Sequence, residues 1–324
     1  MEPKINLDKL PNEDRSSSGW EREAILNLAQ AGLKEQRRGR RWGIFFKLLG
    51  FAYVTIFLLS LLVPHLAELS PTAQHTALVE LKGIIADGEE ASADNIVSGL
   101  RAAFENKNSA AVILRINSPG GSPVQANYIN REISRLREVH PEKPIYAVVT
   151  DICASGGVFA AVATDKIFAD KASIVGSIGV RMDGFGFVDA MEKLGVERRL
   201  MTAGEHKGLL DPFQPEKEFE KNHVQSLLDE IHQQFIAVVV EGRGDKLAKD
   251  KNMFSGLFWT GEQALELGLV DGFGSASYVA REVVGFEDIQ DYTFREDVFQ
   301  RFAKRLGTAL VEPITKALSY PVLR

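Results

Sequence analysis

The chain has 324 residues, 45% of them hydrophobic, and a formal net charge of -6. A chain of this size and composition is not disordered and has enough apolar material for one large core or two modest ones. The negative balance argues against a general nucleic-acid binder, which needs a positive face for phosphates. Cys153 is the one cysteine, so no intrachain disulfide forms, and the six histidines (65, 75, 140, 206, 223, 232) lack the spacing of a ligand set. Neither a metal nor a cofactor is expected.

Residues 1–41 form a polar N-terminal tail that holds an amphipathic helix over Trp20 to Gln36 and the basic run Lys34 to Arg41. Residues 42–63, Trp42 to Val63, are almost wholly apolar; at 1.5 Å per residue a helix of this length reaches about 33 Å, enough for a hydrocarbon core of roughly 30 Å. Lys47 is the single charge inside the segment and lies near the basic end, where its stem can reach the headgroups. Five Lys or Arg fall in residues 34–41, whereas the first Lys after the segment is Lys82. The charge asymmetry therefore predicts a single-pass anchor with its N-terminus in the cytoplasm and the rest of the chain on the outer, periplasmic side of the inner membrane. The long charged leader argues against a cleaved signal peptide.

A linker over 64–74 leads into a main domain over 75–291, where strands alternate with helices. Strands are predicted over His75 to Ile85, Ala110 to Ile116, Pro144 to Val149, Lys166 to Ala169, Ser173 to Val180 and Val196 to Thr202. Helices are predicted over Ser92 to Asn106 with Ser92 as the cap, Pro123 to Val139, Gly156 to Thr164, Val188 to Leu194, Glu216 to Glu241 and Gly261 to Leu267. Such alternation predicts an α/β domain with a mainly parallel sheet and right-handed crossovers. From Tyr292 to the end, Phe294, Val298, Phe299, Phe302, Leu306 and Leu310 recur at near-helical spacing, which predicts an amphipathic helix over 292–324.

Thr150-Asp-Ile-Cys-Ala-Ser155-Gly-Gly-Val158 puts Ser155 at a strand-to-helix turn, where a hydroxyl is lifted out of the sheet and glycine N–H groups can approach a substrate carbonyl. An ordinary helix cap has the same sequence. Upstream, Arg115-Ile-Asn-Ser-Pro-Gly-Gly121 ends a strand expected beside the one before Ser155, so that Gly120 and Gly121, together with Gly156, could present amides to an oxyanion; a plain Pro-Gly turn reads the same way. Downstream, Gly204-Glu-His-Lys-Gly208 holds Lys207. Most lysines lie at the surface, but one carried into a pocket is desolvated toward its neutral form and can act as a base. His206 is a rival base, and only one of two adjacent side chains can face the serine.

As an ordered set these stretches resemble the signal peptide peptidase A family of membrane-anchored serine–lysine peptidases, whose fold is related to the Clp protease and crotonase groups. The resemblance covers roughly residues 75–285 and rests on Asn117-Ser-Pro-Gly-Gly121, Ala154-Ser-Gly-Gly157, Gly204-Glu-His-Lys207 with its lysine 52 residues beyond the serine, and Phe258 to Asp271. It implies Ser155 as nucleophile, Lys207 as base and Ser177, in Val175-Gly-Ser-Ile-Gly179, as the hydroxyl that orients the lysine amine. It also implies a single-copy form that completes its site as a homo-oligomer, with apolar peptides such as cleaved signal peptides as substrates. Val158 departs from the aromatic frequent after Ser-Gly-Gly. Three other readings stand beside this one: a protease for one particular membrane or secreted protein, a crotonase-like enzyme acting on an acyl thioester, and a non-catalytic membrane scaffold of the same fold.

Overall fold

The computed structural model describes residues 18–67 and 73–295, and the chain divides into two compact units between Thr72 and Ala73. The first unit is one continuous helix, α1 (Ser18–Ala67). The basic run that was expected to separate an amphipathic helix from an apolar span is itself helical. Arg and Lys are good helix formers, and isolated glycines such as Gly39 and Gly43 cost only about 1 kcal/mol each. Trp42 packs on Phe45 and Phe46, one turn ahead, with ring centroids 5.8 and 5.6 Å away. Among the described residues no helix is long and apolar enough to cross a membrane; residues 58–63, the end of the expected span, lie outside the described side chains.

The second unit is α/β. Its elements run β1 (His75–Ile85), α2 (Ala93–Glu105), β2 (Ser109–Gly121), α3 (Pro123–Val139), β3 (Ile145–Ala154), α4 (Gly156–Ala161), β4 (Lys166–Ala169), β5 (Ile174–Gly176), α5 (Val188–Leu194), α6 (Glu218–Arg243), β6 (Phe258–Thr260), α7 (Gly261–Glu266), β7 (Gly272–Phe273), α8 (Ala276–Tyr278) and β8 (Ile289–Asp291). The sheet order is β6-β5-β3-β2-β1-β8, with β4 joined to β3 and β7. All pairings are parallel except β5 with β6. Strand β3 serves two neighbours on one side: Tyr146–Val148 pair with β4, and Ile152–Ala154 pair with β5.

The central strands are apolar on both faces because both faces are covered. Ala77, Val79, Leu81, Val112, Leu114, Ile116, Ala147 and Val149 point into the larger core beneath α2, α3 and α4. The alternate residues Leu78, Ile113 and Val148 meet Phe168, Val279 and Ala280 on the other face. That period of two is the strand geometry itself. Long helix α6 closes over α4 so tightly that a Cβ at Gly242 would lie 2.3 Å from the Val162 carbonyl oxygen.

Several expectations need correction. Residues 196–202 are not a strand; Arg198 instead reaches Asp211 at 3.1 Å and lies over the Phe213 ring. The strand predicted over 173–180 is only β5, Ile174–Gly176. Ser92 sits at the start of α2, but its side chain makes no cap bond; the amide of Ala93 goes to Oε1 of Gln125 on α3. The helix expected from Tyr292 does not begin there, because Tyr292 N–H donates to the Leu78 carbonyl and Thr293 Oγ1 accepts the Glu80 amide, extending the pairing of β8 with β1. The remainder of that expected helix, 296–324, lies outside the described residues.

Glu132 of α3 locks α3 to α2. It accepts hydrogen bonds from Arg135 on its own helix and from Arg101 on α2. The Arg135 hydrogen bond foremost, with Arg101 beside it, holds the Glu132 carboxyl at about 2. A folded-state value below the unfolded one means that the contribution is full above about pH 4.5 and is lost as pH falls toward 2. Both arginines are half exposed, so about 2 kcal/mol is the expected size. Denaturant melts from pH 7 to pH 2.5 should show Glu132→Gln less stable at neutral pH and converging on the parent in acid; a constant gap across that range would remove this role.

Candidate active site

Strand β3 delivers Ser155 at its carboxyl end, immediately before α4. The residue stands at φ 51° and ψ -117° with no hydrogen bond capping the helix from its side chain. Only Ser155, Ser177 and Leu210 among the described non-glycine residues have positive φ. Such a conformation costs on the order of 1–3 kcal/mol and is kept only where the surroundings enforce it. Two backbone bonds do so here: Ser155 N–H donates to the Gly176 carbonyl at 2.8 Å, and the Ser155 carbonyl accepts from Phe159 N–H at 3.0 Å. The Ser155 hydroxyl has no hydrogen-bond partner among the described residues, and the residue is partly exposed.

The glycine-rich stretch expected to be a loop is the end of β2. Gly120 and Gly121 pair with Ile84 and Ile85 of β1, which brings them against the serine turn. A Cβ at Gly120 would lie 2.6 Å from the Gly156 nitrogen and 2.7 Å from Ser155 Cβ, and Gly120 also has φ +94°. Gly120 N–H is not free, since it donates to Ser118 Oγ at 3.1 Å. The Gly121 nitrogen faces Gly156, lying 3.3 Å from where a Cβ on Gly156 would sit. The nitrogens of Gly121 and of Gly156, at the start of α4, therefore lie close together next to Ser155 in the chain.

Ser177 is brought to the same place by register. Ala154 is opposite Gly176 in the parallel pair β3–β5, so Ser155 and Ser177 follow matched residues on strands about 4.8 Å apart. Ser177 also has positive φ, 53°, and its N–H donates to the Leu257 carbonyl. Gly176 and the start of the Phe258 to Asp271 stretch were quoted in the sequence only for the resemblance, and the packing of β6 on Gly176 was not foreseen; the ring of Trp259 would lie 2.6 Å from a Cβ at Gly176. A three-residue strand such as β6, Phe258–Thr260, is too short for alternation to give a sequence signal.

Lys207 is placed differently. It lies in the irregular segment 195–217, is exposed, and has its N–H bonded to the Gly204 carbonyl. No hydrogen bond joins its side chain to Ser155 or Ser177 among the described residues. The neighbouring His206 ring stacks on Phe219 of α6 at 4.6 Å. Asp151, close to the site on β3, accepts a hydrogen bond from Asn117. Buried Cys153, just inside the sheet, has its thiol pushed up to about 12 by desolvation, which keeps it protonated.

Residues 137–285 match the family model of peptidase family S49. The Synechocystis protein slr0021 is 34% identical over 204 residues, an alignment that covers 63% of this chain and 71% of that one. The chain belongs to peptidase family S49. Protease 4 of Haemophilus influenzae is 32% identical over 203 residues, 61% of this chain and 32% of that protein. A Brucella abortus protein named Na(+)/H(+) antiporter NhaA is 48% identical over 186 residues, 57% of this chain. The chain spans only a quarter of that protein's length. The S49 match takes in Ser155, Ser177 and Lys207 and begins downstream of the Gly120–Gly121 segment.

The contact of Gly120 with the serine turn gives a test. Gly120→Ala adds a Cβ where backbone already stands, so the site must shift by a substantial fraction of an ångström. Peptide hydrolysis should drop by about 100-fold or more, while a thermal melt still shows a cooperative transition. Unchanged turnover in the alanine variant would mean that Gly120 does not shape the reacting centre.

Proposed function

We propose that this S49 family member is a serine peptidase that uses Ser155 as nucleophile and Lys207 as general base. The observation that carries the reading is the strained Ser155 turn, packed against Gly120 and beside the nitrogens of Gly121 and Gly156. Strain of this kind gathers where a hydroxyl must be held out of a sheet. Ser155 Oγ attacks the peptide carbonyl as Lys207 removes its proton, and the oxyanion settles between the Gly156 and Gly121 amides, each such donor being worth roughly 10²–10³ in rate. Lys207 then returns the proton to the leaving amine, and water hydrolyses the acyl-enzyme. Ser177, next to Ser155 across the β3–β5 pair, orients the lysine amine.

Two features favour Lys207 over its neighbour. The His206 ring is occupied on Phe219, whereas Lys207 is unengaged among the described residues. Its exposure in a single chain fits a site completed by assembly with further copies: the stretch that leads to it exposes Met182, Phe185, Leu194 and Met201. We further propose that residues 42–63 anchor the chain in the inner membrane with the N-terminus in the cytoplasm, as the basic run before them suggests. That tether restricts substrates to membrane-associated, apolar peptides, with cleaved signal peptides the class the family resemblance supplies.

The test is hydrolysis of an apolar fluorogenic peptide by the full-length protein in detergent. Ser155→Ala and Lys207→Ala should each lower kcat by at least about 10³-fold, and His206→Ala should leave it within a few-fold. Turnover that survives Lys207→Ala but vanishes in His206→Ala moves the base by one residue; turnover that survives Ser155→Ala defeats the reading.

A further inference from the structure

We propose that Ser118 is a positioning residue that aims the oxyanion donors of the Ser155 site. It stands where the sheet is irregular on both sides of β2. The β1–β2 register shifts between Lys82 and Ile84, around Gly83 at φ +90°. The β2–β3 register shifts between Ile116 and Ser118, whose partners are Val149 and Cys153. A shift of this kind leaves ladder groups without their regular partners, and buried backbone groups need one. The Ser118 hydroxyl supplies two. With the residue 0% exposed, Oγ donates to the Gly83 carbonyl at 2.6 Å and accepts from Gly120 N–H at 3.1 Å.

This hydroxyl decides which amide serves the site. By holding Gly120 N–H inside the sheet, it leaves Gly121, the next residue, to turn its nitrogen toward Gly156. It also fixes Gly120 against the Ala154 carbonyl and Ser155 Cβ, each 2.7 Å from where a Cβ on Gly120 would stand. The Ser118 carbonyl extends the brace, lying 3.3 Å from where a Cβ on Gly157 would be. One small side chain that both donates and accepts thus ties β1 to β2, and the carbonyl of the same residue backs the start of α4. Alanine would take this donor from the half-buried Gly83 carbonyl and release the Gly120 amide to compete for the same space.

The inference rests on the serine-peptidase reading above, so Ser155→Ala is run beside it in the full-length protein. Ser118→Ala should lower kcat about 10- to 100-fold with KM within about twofold. Affinity for a peptide boronate, which forms a tetrahedral adduct, should fall by the same factor as kcat/KM. Ser118→Thr, which keeps the hydroxyl, should recover most of the loss. Ser118→Cys, close in size but a weak acceptor, should behave as alanine does and replaces it if the alanine variant fails to fold. Parental kcat in the alanine or cysteine variant, or an equal loss in the threonine variant, overturns the proposal while leaving the nucleophile in place. Turnover that persists in Ser155→Ala overturns both.

Discussion

A non-glycine residue held at φ 51° and ψ -117° stays there only because its neighbours leave it nowhere else to go, and much of this domain acts as that enclosure around Ser155. The amide of Ser155 is fixed by Gly176 on β5, its carbonyl starts α4, and its Cβ side is filled by Gly120 on β2. Each contact comes from a different strand or helix. The turn is therefore stable only when the β1–β2–β3–β5 order and register are both correct. A one-residue slip in any of these pairs would move a side chain into space that only a hydrogen can occupy.

The division of labour along β3 follows from this. Its first half pairs with β4 and belongs to the buried frame; its second half pairs with β5 and belongs to the site. Between them, Ser173 Oγ donates to the Thr150 carbonyl and accepts the Asp170 amide, pinning the crossing from β4 to β5 at the fork. On the face that also carries α4, α2 and α3 are coupled through Glu132 and through the bond from Ala93 to Gln125, and α3 begins directly after Gly121 and Ser122. The glycine segment thus hangs between the coupled helix pair and the serine turn. Its own lack of side chains is what permits the close approach.

Much of the framework could be read from local pattern. β1, α3, β4 and α5 fall on the residues expected of them, because long apolar runs and helical periodicity bounded by Pro, Gly or a cap carry their own signal. β6, β7 and β8 went unread: strands of two or three residues owe their existence to a neighbour rather than to alternation. The opposite failure occurred at 196–202, where apolar and charged residues suggest a strand but Arg198 is drawn to Asp211 and Phe213. Within the site, Ser155 and the glycines could be read because turn chemistry demands those residue types. Ser118 stood in the same motif without an assigned role, since nothing in a sequence distinguishes an exposed turn serine from one buried between two register shifts.

The serine and lysine halves of the site differ in how they are built. Ser155, Gly156, Gly121 and Ser177 are set by a buried sheet whose bonds are satisfied within one chain. Lys207 belongs to a segment without regular structure, anchored at its ends by side chains: Leu210 N–H and Lys217 both bond to buried Glu220, and His206 lies on Phe219. A lysine that serves as a base needs to be taken out of water, and Lys207 is exposed in the single chain. The apolar residues exposed upstream of it, Phe185 at 80% and Met201 at 94%, cost free energy in water at about 25 cal/mol per Å² of apolar surface. On the proposal that Lys207 is the base, covering that surface and desolvating the lysine call for the same event. On the proposal that Ser155 and Lys207 act together, the serine half is set within each chain, and the lysine half asks for the segment 181–207 to be packed against protein.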